Sequence, residues 1–173
     1  MATDDPYHHT QEDMMDEYFE MAARETLDGM HRGIGGPFGA TIIRGGEVVV
    51  TVGNRQLGEK DPSQHAEMVA IRDACKALDT LDLSDCTIYA TCEPCPMCVG
   101  AIIWAGITDC YFASTSADAD AAGFTDLHLR RFLRGEDSSV LRLHHVGNRE
   151  DCDALFPTFW ELHPDLTPAP SLA

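Results

Sequence analysis

The sequence is poor in basic residues and has almost no lysine. Lys and Arg together number 12 against 29 Asp and Glu, which gives a formal net charge of −17, and Lys60 and Lys76 are the two lysines. Such a surface repels the nucleic-acid backbone unless a local basic patch or high salt intervenes, so we expect no nucleic-acid partner. A generic acidic protein is one explanation. The scarcity of lysine favours the other, a halophilic protein adapted to a very salty cytoplasm.

Long apolar runs are also absent. The longest, VGAIIWAGI at residues 99–107, is far shorter than the roughly 20 residues that a membrane-spanning helix needs. The first residues, MATDDPYHHTQEDMMDEY, are acidic and polar, unlike a signal peptide. Seven cysteines without a secretory signal indicate metal binding or buried thiols rather than a disulfide framework. We expect a cytoplasmic protein without a membrane partner.

The first two thirds of the chain predict alternating helices and strands. Helical periodicity covers residues 13–31, and two β-rich runs then flank Gly45-Gly46, which indicates a hairpin. A second helix is predicted over residues 63–78, with Ser63 as its cap. The strand CTIYATC leads into a helix over residues 94–106 that prolines open.

The last third predicts two more strands and a broken helix. DCYFAST and SVLRLHHV (139–146) are interpreted as the fourth and fifth strands, and DALFPTFWEL as a short helix interrupted near Pro157. No repeat or linker divides the chain. We therefore expect one α/β domain over residues 1–173, with residues 1–12 as a flexible acidic tail.

Two short stretches, HAE at residues 65–67 and PCPMC at 94–98, hold candidate metal ligands. Each lies at a predicted helix start, where the partial positive charge favours thiolates. Cys95 and Cys98 are three residues apart, so they share a helical face. With His65 they would supply one imidazole and two thiolates, a donor set typical of zinc.

Three protein ligands would leave one of zinc's four positions to water, as in catalytic zinc sites. Zinc lowers the pKa of such a water to about 7. Glu67 is spaced poorly to bind the metal itself and is a candidate for carrying protons from that water to a substrate. The alternative is a noncatalytic zinc module whose C-terminal aromatic residues mediate association.

A third cysteine, Cys92, ends the predicted strand before PCPMC. As a fourth ligand it would close the metal site, whereas a packed thiol would leave the site open. The second interpretation is the more common one for a buried cysteine. Further single cysteines at Cys75, Cys86, Cys110 and Cys152 are also interpreted as buried thiols.

H-x-E combined with P-C-x-x-C is the signature of zinc deaminases, and the chain resembles the cytidine deaminase-like superfamily over nearly its whole length. Within it, the chain is most similar to the bacterial-type guanine deaminases. The matching residues are GIGGPFGA (33–40), Asn54, HAE (65–67), CEPCPMC (92–98) and AGFTD (122–126). The resemblance implies a three-layer α/β/α sandwich with a central five-stranded mixed sheet. It also implies one zinc ion per chain and hydrolysis of guanine to xanthine and ammonia.

The same resemblance implies roles around the metal ligands and Glu67. Asn54 matches a position that hydrogen-bonds the purine, Asp126 matches an acidic residue beside the base, and the backbone of Ala66 would contact the base too. Guanine N–H groups suit a carboxylate acceptor. Simpler explanations stay open: Asn54 as a turn residue, Asp126 as a helix cap, and Phe38 packed against either substrate or core.

The resemblance further implies a homodimer that exchanges its C-terminal segment, residues 150–173, so as to close the pocket. Some members close it with a terminal tyrosine, but this chain has no tyrosine after Tyr111. Phe156, Phe159 and Trp160 are the candidates instead, unless they belong to the core. A changed lid would also admit another amino-heterocycle or a nucleoside, such as cytosine, ammeline or guanosine.

A tRNA adenosine deaminase is the nearest alternative function. Such an enzyme needs a basic groove for the anticodon arm. The basic cluster of this sequence is confined to Arg130, Arg131 and Arg134, with Arg142 and Arg149 further on. In addition, the segment after the fourth strand differs from that of the tRNA enzymes.

Overall fold

The computed structural model describes residues 11–146 and 150–165. The chain divides into two compact units, Met1–Asp137 and Ser138–Ala173. The predicted acidic tail lies mostly outside the described residues, and Gln11 already belongs to the first helix, α1 (Gln11–His31). The expectation of one domain over residues 1–173 stays a prediction.

A mixed sheet forms the centre of the first unit. Its strands are β1 (Gly39–Arg44), β2 (Glu47–Gly53), β3 (Cys86–Cys92) and β4 (Asp109–Ser114), in the order β2-β1-β3-β4. β1 pairs antiparallel with β2 and β3, whereas β3 and β4 are parallel. A parallel pair needs a crossover, which α4 (Pro96–Trp104) supplies. The α/β class and the mixed sheet are therefore confirmed.

The predicted fifth strand was wrong. Within residues 11–146 and 150–165 the sheet has four strands, and residues 139–146 form none of them. Val140 and Leu141 are neighbours, and His144 and His145 follow Leu143, so the segment lacks the alternation of a half-buried strand. Its aliphatic residues were a weak signal, because strand propensity depends on a partner to pack against.

Helices cover both faces of the sheet. On one face, Tyr18 of α1 packs with Ile43 and Tyr89. On the other, α3 (Ala66–Leu78) and α4 pack against the fully buried Ile42 and Ile88. Burying each such isoleucine contributes about 1.5–3 kcal/mol. The core on this second face includes Ala66 at the start of α3 and Ile102 of α4, and so supports both helices.

The start of α3 differs from the prediction. The helix begins at Ala66, and His65 is its N-cap residue, with extended φ and ψ of −64° and 152° and no side-chain cap bond. Ser63 is not the cap, because its N–H donates to Asp61 Oδ1 at 2.7 Å in a turn that precedes the helix. The His65 imidazole is consequently not engaged in capping.

Short helices complete the first unit: α2 (Gln56–Glu59), α5 (Ser116–Ala121) and α6 (Leu127–Leu133). A capping box between Thr115 and Asp118 starts α5. Gly123, with φ of +91°, turns the chain between α5 and α6.

The second unit contains α7 (Glu150–Asp153) and α8 (Leu155–Leu162). The helix breaks at Ala154, not at Pro157 as the sequence predicted. Pro157 lies in the first turn of α8, where its missing N–H would have had no intrahelical partner. Residues 166–173 lie outside the described part of the chain. No helix within that part is long and apolar enough to cross a membrane.

Candidate zinc centre and adjoining pocket

Three metal-ligating side chains meet where α3 and α4 begin. His65 Nδ1, Cys95 Sγ and Cys98 Sγ are each 3.6 Å from the other two. Tetrahedral zinc with its usual bond lengths would hold such atoms about 3.6–3.8 Å apart. The triangle therefore fits zinc, and among the side chains that the structure describes it is the one cluster of its kind.

Helix ends position these ligands. His65 and Cys95 are the N-cap residues of α3 and α4, and both have extended backbone torsions with no capping side chain. Cys98 lies one turn into α4 and is fully buried. The N-terminal partial charges of the two helices favour thiolate ligands.

Contacts within the triangle shift the pKa of each ligand. Hydrogen bonds with Cys98 and His65 lower the pKa of Cys95, whereas its hydrogen bond with Cys95, together with burial, raises the pKa of Cys98. The hydrogen bond to Cys95 also raises the pKa of His65. Because metal ligands must be deprotonated, zinc binding releases these protons.

Glu67 lies beside the cluster but is not part of it. Its side chain is buried, and burial raises the pKa of its carboxyl above the usual value. A raised pKa brings a carboxyl closer to the value that suits proton transfer near neutral pH. The geometry therefore suits an acid–base group next to a metal.

A cavity of about 310 Å³ opens over the cluster. His65, Glu67 and Cys95 line one part of it, and residues of α5 and of the turn before α6 line another. The size suits one small planar molecule. All of these residues belong to the first unit.

Two sequence-predicted substrate residues, Phe38 and Asp126, line this cavity. Phe38 is in edge-to-face contact with Phe124, with ring centroids 5.5 Å apart. Asp126 immediately precedes α6 but makes no side-chain cap bond, and instead accepts hydrogen bonds from Arg130 at 2.8 and 2.9 Å. Asp126 is therefore the N-cap residue of α6 by position, but its side chain does not cap the helix, and its predicted contact with the base stays a prediction.

Asn54 is buried but does not line the cavity. Its Oδ1 accepts from the N–H groups of Gly36 and Gln56 at 3.2 and 3.0 Å, and its Nδ2 donates to Gln56 Oε1 at 2.9 Å. These bonds are those of a turn residue, and the predicted contact with a purine stays a prediction. Gln56 lines the cavity in its place.

Two further residues discussed from the sequence, Ala66 and Cys92, lie next to the metal ligands in the chain or on the cavity wall. Ala66 is fully buried as the first residue of α3, where helix geometry leaves the backbone N–H without an intrahelical partner. Cys92 lines the cavity, but its Sγ lies 3.6 Å from the Thr115 carbonyl and outside the metal cluster. This arrangement favours a packed thiol over a fourth ligand.

Sequence reasoning missed Gln56, Phe124, Glu93 and Arg130. Phe124 falls within the AGFTD segment, so its place in a matching motif was the available signal. Glu93 and Arg130 come together through an ion pair of 3.3 Å between residues 37 positions apart. No local pattern in the sequence predicts that pairing.

The chain belongs to the family described as the cytidine and deoxycytidylate deaminase zinc-binding region, whose profile matches residues 10–114. It is therefore a zinc-dependent deaminase of the hydrolase class, as the motif and metal cluster indicated. Among curated proteins, the guanine deaminase of Bacillus subtilis (strain 168) is 44% identical over 109 residues, which is 63% of this chain and 70% of that protein.

Solved structures agree with this assignment. The X-ray structure of Bacillus subtilis guanine deaminase has a TM-score of 0.76 at 31% identity, covering 91% of this chain and 98% of that chain. A solved mutant chain in complex with 8-azaguanine has a TM-score of 0.61 at 28% identity, covering 70% of this chain and 73% of that chain.

The tRNA-specific adenosine deaminase of Aquifex aeolicus (strain VF5) is also similar in sequence, at 39% identity over 57% of this chain and 65% of that protein.

Proposed function

We propose that the chain hydrolyses guanine to xanthine and ammonia. The observation that carries this proposal is a single small cavity in which Glu67, the metal cluster and Asp126 face the same space. An acid–base group, a zinc site and an acceptor for base N–H groups are the parts that deamination of a purine needs. The similarity to the Bacillus guanine deaminase supports guanine over other bases.

His65, Cys95 and Cys98 would hold one zinc ion per chain. When bound, zinc acts as a Lewis acid that makes a hydroxide nucleophile available at neutral pH. The ligand triangle also fixes where the reaction takes place, because Cys98 is fully buried and Ala66, next to His65, belongs to the core.

Glu67 would move the protons. Its carboxylate takes a proton from the attacking water and delivers protons to the ring nitrogen and then to the departing amine. Burial, which raises the pKa of Glu67, keeps the proton-carrying form accessible near neutral pH. The reaction then balances as guanine plus water giving xanthine plus ammonia.

The walls of the cavity would orient the base. The Asp126 carboxylate accepts N–H groups of the base, and the backbone N–H of Ala66 reaches its polar edge. Phe38 and Phe124 supply an aromatic corner against the ring. Asn54 retains its family role either by direct contact or through Gln56, its hydrogen-bond partner on the cavity wall.

A tRNA adenosine is the second candidate substrate, favoured by the similarity to the Aquifex enzyme. The positions of the basic residues argue against a tRNA substrate. Arg130 is engaged by Asp126 and Glu93, and Arg134 lies 3.9 Å from Glu136. An RNA-binding groove needs cations that face the phosphates.

We further infer a homodimer with exchanged C-terminal segments. The outer face of α4 exposes Val99, Ile103 and Trp104, the last at 88%. α4 contains no charged residue in a chain of net charge −17. Two copies of so acidic a protein repel each other least where acidic side chains are absent. We therefore infer that the exposed face of α4 binds a second copy of the chain. A cytoplasmic, high-salt setting remains part of this proposal.

The test of substrate is a panel offered to the purified zinc-loaded protein in high salt. Guanine, adenine, cytosine, guanosine, cytidine and ammeline are compared by ammonia release, with xanthine identified chromatographically. Xanthine from guanine alone supports the proposal. Ammonia from another compound overturns the choice of substrate. If none of the six releases ammonia, a tRNA is offered next, and activity on it establishes the second candidate.

The test of assembly is sedimentation of the wild type and of W104E in high salt. Burying an acidic group in an apolar interface is unfavourable, so W104E is expected to sediment as a monomer. A wild-type monomer, or a W104E dimer as tight as the wild type, would contradict this interface.

A further inference from the structure

Arg130 lies behind the wall of the cavity and contacts two separate parts of it. Its Nε donates to both carboxylate oxygens of Asp126 at 2.8 and 2.9 Å. Its Nη1 lies 3.3 Å from Oε1 of Glu93, and its Nη2 donates to the Pro94 carbonyl at 3.5 Å. One guanidinium thus connects the start of α6 to the segment that leads directly into Cys95.

This network is less exposed than the ion pairs on the surface of the molecule. The side chains of Arg130, Asp126 and Glu93 are 22%, 26% and 29% exposed. For comparison, the Arg24–Glu20 pair on α1 is 74% and 71% exposed. Partial burial reduces screening by water and salt, which matters for a protein of this charge.

Glu93, at one end of the network, makes further hydrogen bonds to β4 and α5. Glu93 Oε2 accepts the N–H of Ser116 at 3.0 Å, and the N–H of Glu93 donates to the Ser114 carbonyl at 2.8 Å. Glu93 therefore holds the end of β4 and the start of α5 as well as Arg130. Ion pairs between residues four positions apart are common within helices. Arg130 differs from such a pair because it also contacts Glu93 and Pro94, which lie outside α6.

The geometry leaves Asp126 available to a ligand. A carboxylate offers about four acceptor positions, two on each oxygen. The bifurcated bond from Arg130 Nε takes one position on each oxygen, and Asp126 still lines the cavity. The arginine therefore fixes the rotation of the carboxylate without closing it off.

We propose that Arg130 is a positioning residue for the substrate, which turns the Asp126 carboxylate toward the base and ties it to the segment that carries Cys95. The inference rests on the proposed function, since it assumes that Asp126 receives a nucleobase. It assigns Arg130 to substrate recognition rather than to an RNA-binding cluster. A lysine could not replace it fully, because the ammonium group lacks the planar fork that reaches three partners.

The first experiment measures binding of 8-azaguanine to the zinc-loaded protein by titration calorimetry. R130M and R130K are compared with the wild type and with R131M, a matched control that removes an exposed arginine from the neighbouring position of α6. R130M is expected to weaken binding about tenfold or more, with R130K in between and R131M within about twofold. Zinc content should be unchanged in all variants.

A second experiment separates positioning from general support of the fold. If Arg130 acts through Asp126, removing it from a D126N background adds little further loss of affinity, so the two effects are far from multiplicative. A merely structural role would instead give multiplicative losses. It would also lower the melting temperature of R130M without the partial rescue expected in R130K.

The outcomes distinguish this inference from the proposed function. If the wild type binds 8-azaguanine and R130M binds it equally well, or if the losses are multiplicative, the role of Arg130 is wrong and the guanine assignment stands. If the wild type neither binds 8-azaguanine nor releases ammonia from guanine, the proposed function fails and the inference fails with it.

Discussion

The two sides of the cavity are built in different ways. The metal side rests on the starts of α3 and α4, where Ala66 and Cys98 are fully buried and Ala66 belongs to the core on the sheet. The other side is formed by α5 and the turn from Gly123 to Asp126, which leads into α6, and neither of these helices has a buried residue. The metal side is therefore supported by the core, whereas Asp126 and Phe124, two of the groups proposed to recognise the base, lie on a wall beside short helices without buried residues.

This difference in support assigns the reaction to the metal side and substrate specificity to the wall. A ligand triangle with sides of 3.6 Å tolerates little movement, so it needs the rigid support of packed helices. A base-binding wall can change its residues without unsettling the core. Polar contacts such as the Arg130 network hold this wall in place of apolar packing.

The largest effect is expected from breaking the metal side itself. C95S replaces a thiolate ligand with a poor one, so we expect bound zinc and deaminase activity both to be lost. Zinc is measured by atomic absorption after gel filtration. C92A is the matched control, because its thiol lies next to the Thr115 carbonyl and outside the cluster. Loss of zinc from C92A would make Cys92 a fourth ligand.

Next in size is the removal of the proton carrier. E67Q keeps the shape of the side chain but cannot accept a proton, so we expect the turnover number to fall by about 10²–10⁴ while zinc is retained. Steady-state ammonia release and metal analysis on the same sample measure both quantities. Turnover at the wild-type rate would remove Glu67 from the mechanism.

The contrast between the metal side and the wall also explains which features the sequence predicted well. His65 and Glu67 lie in one short motif and Cys95 and Cys98 in another, about thirty residues further on, and each motif is at a helix start. The two motifs together are a known signature, so their combination predicted that these side chains meet. The strand CTIYATC was bounded correctly because its residues are confined to one buried element. Helix caps were less reliable, since Ser63 belongs to a turn and His65 takes its place.

Prediction failed where partners are distant. The fifth strand was inferred from aliphatic residues alone, although a strand also needs a neighbour to pair with. Arg130 and Glu93 are brought together only by the fold of α5 and α6. The satisfied hydrogen bonds of Asn54 likewise depend on Gly36, which is 18 residues away.

A third prediction contrasts the two sides directly. I88A removes a fully buried side chain beneath the metal side, and should lower the free energy of unfolding by about 2–5 kcal/mol. F124A truncates a side chain that is 47% exposed on the wall, and should cost about 1 kcal/mol or less. Denaturant unfolding measures both values.

Substrate kinetics should show the opposite order for these two variants. F124A is expected to raise the Michaelis constant for guanine several-fold, because an aromatic contact with Phe38 is lost, whereas folded I88A should keep it near the wild-type value. Equal stability losses in the two variants would mean that the wall is as well supported as the metal side.

The smallest expected effect concerns two glycines. Gly123 has φ of +91°, with nothing within 4 Å of an added Cβ, so G123A has space but meets backbone strain of about 1–3 kcal/mol. Gly100, inside α4, also has an open position but no such torsion, and G100A should stabilise the protein by about 0.5–1 kcal/mol. Urea unfolding in high salt compares the two. Opposite signs would show that the turn in the wall depends on glycine's backbone freedom, whereas a stabilising G123A would mean that the turn relaxes without cost.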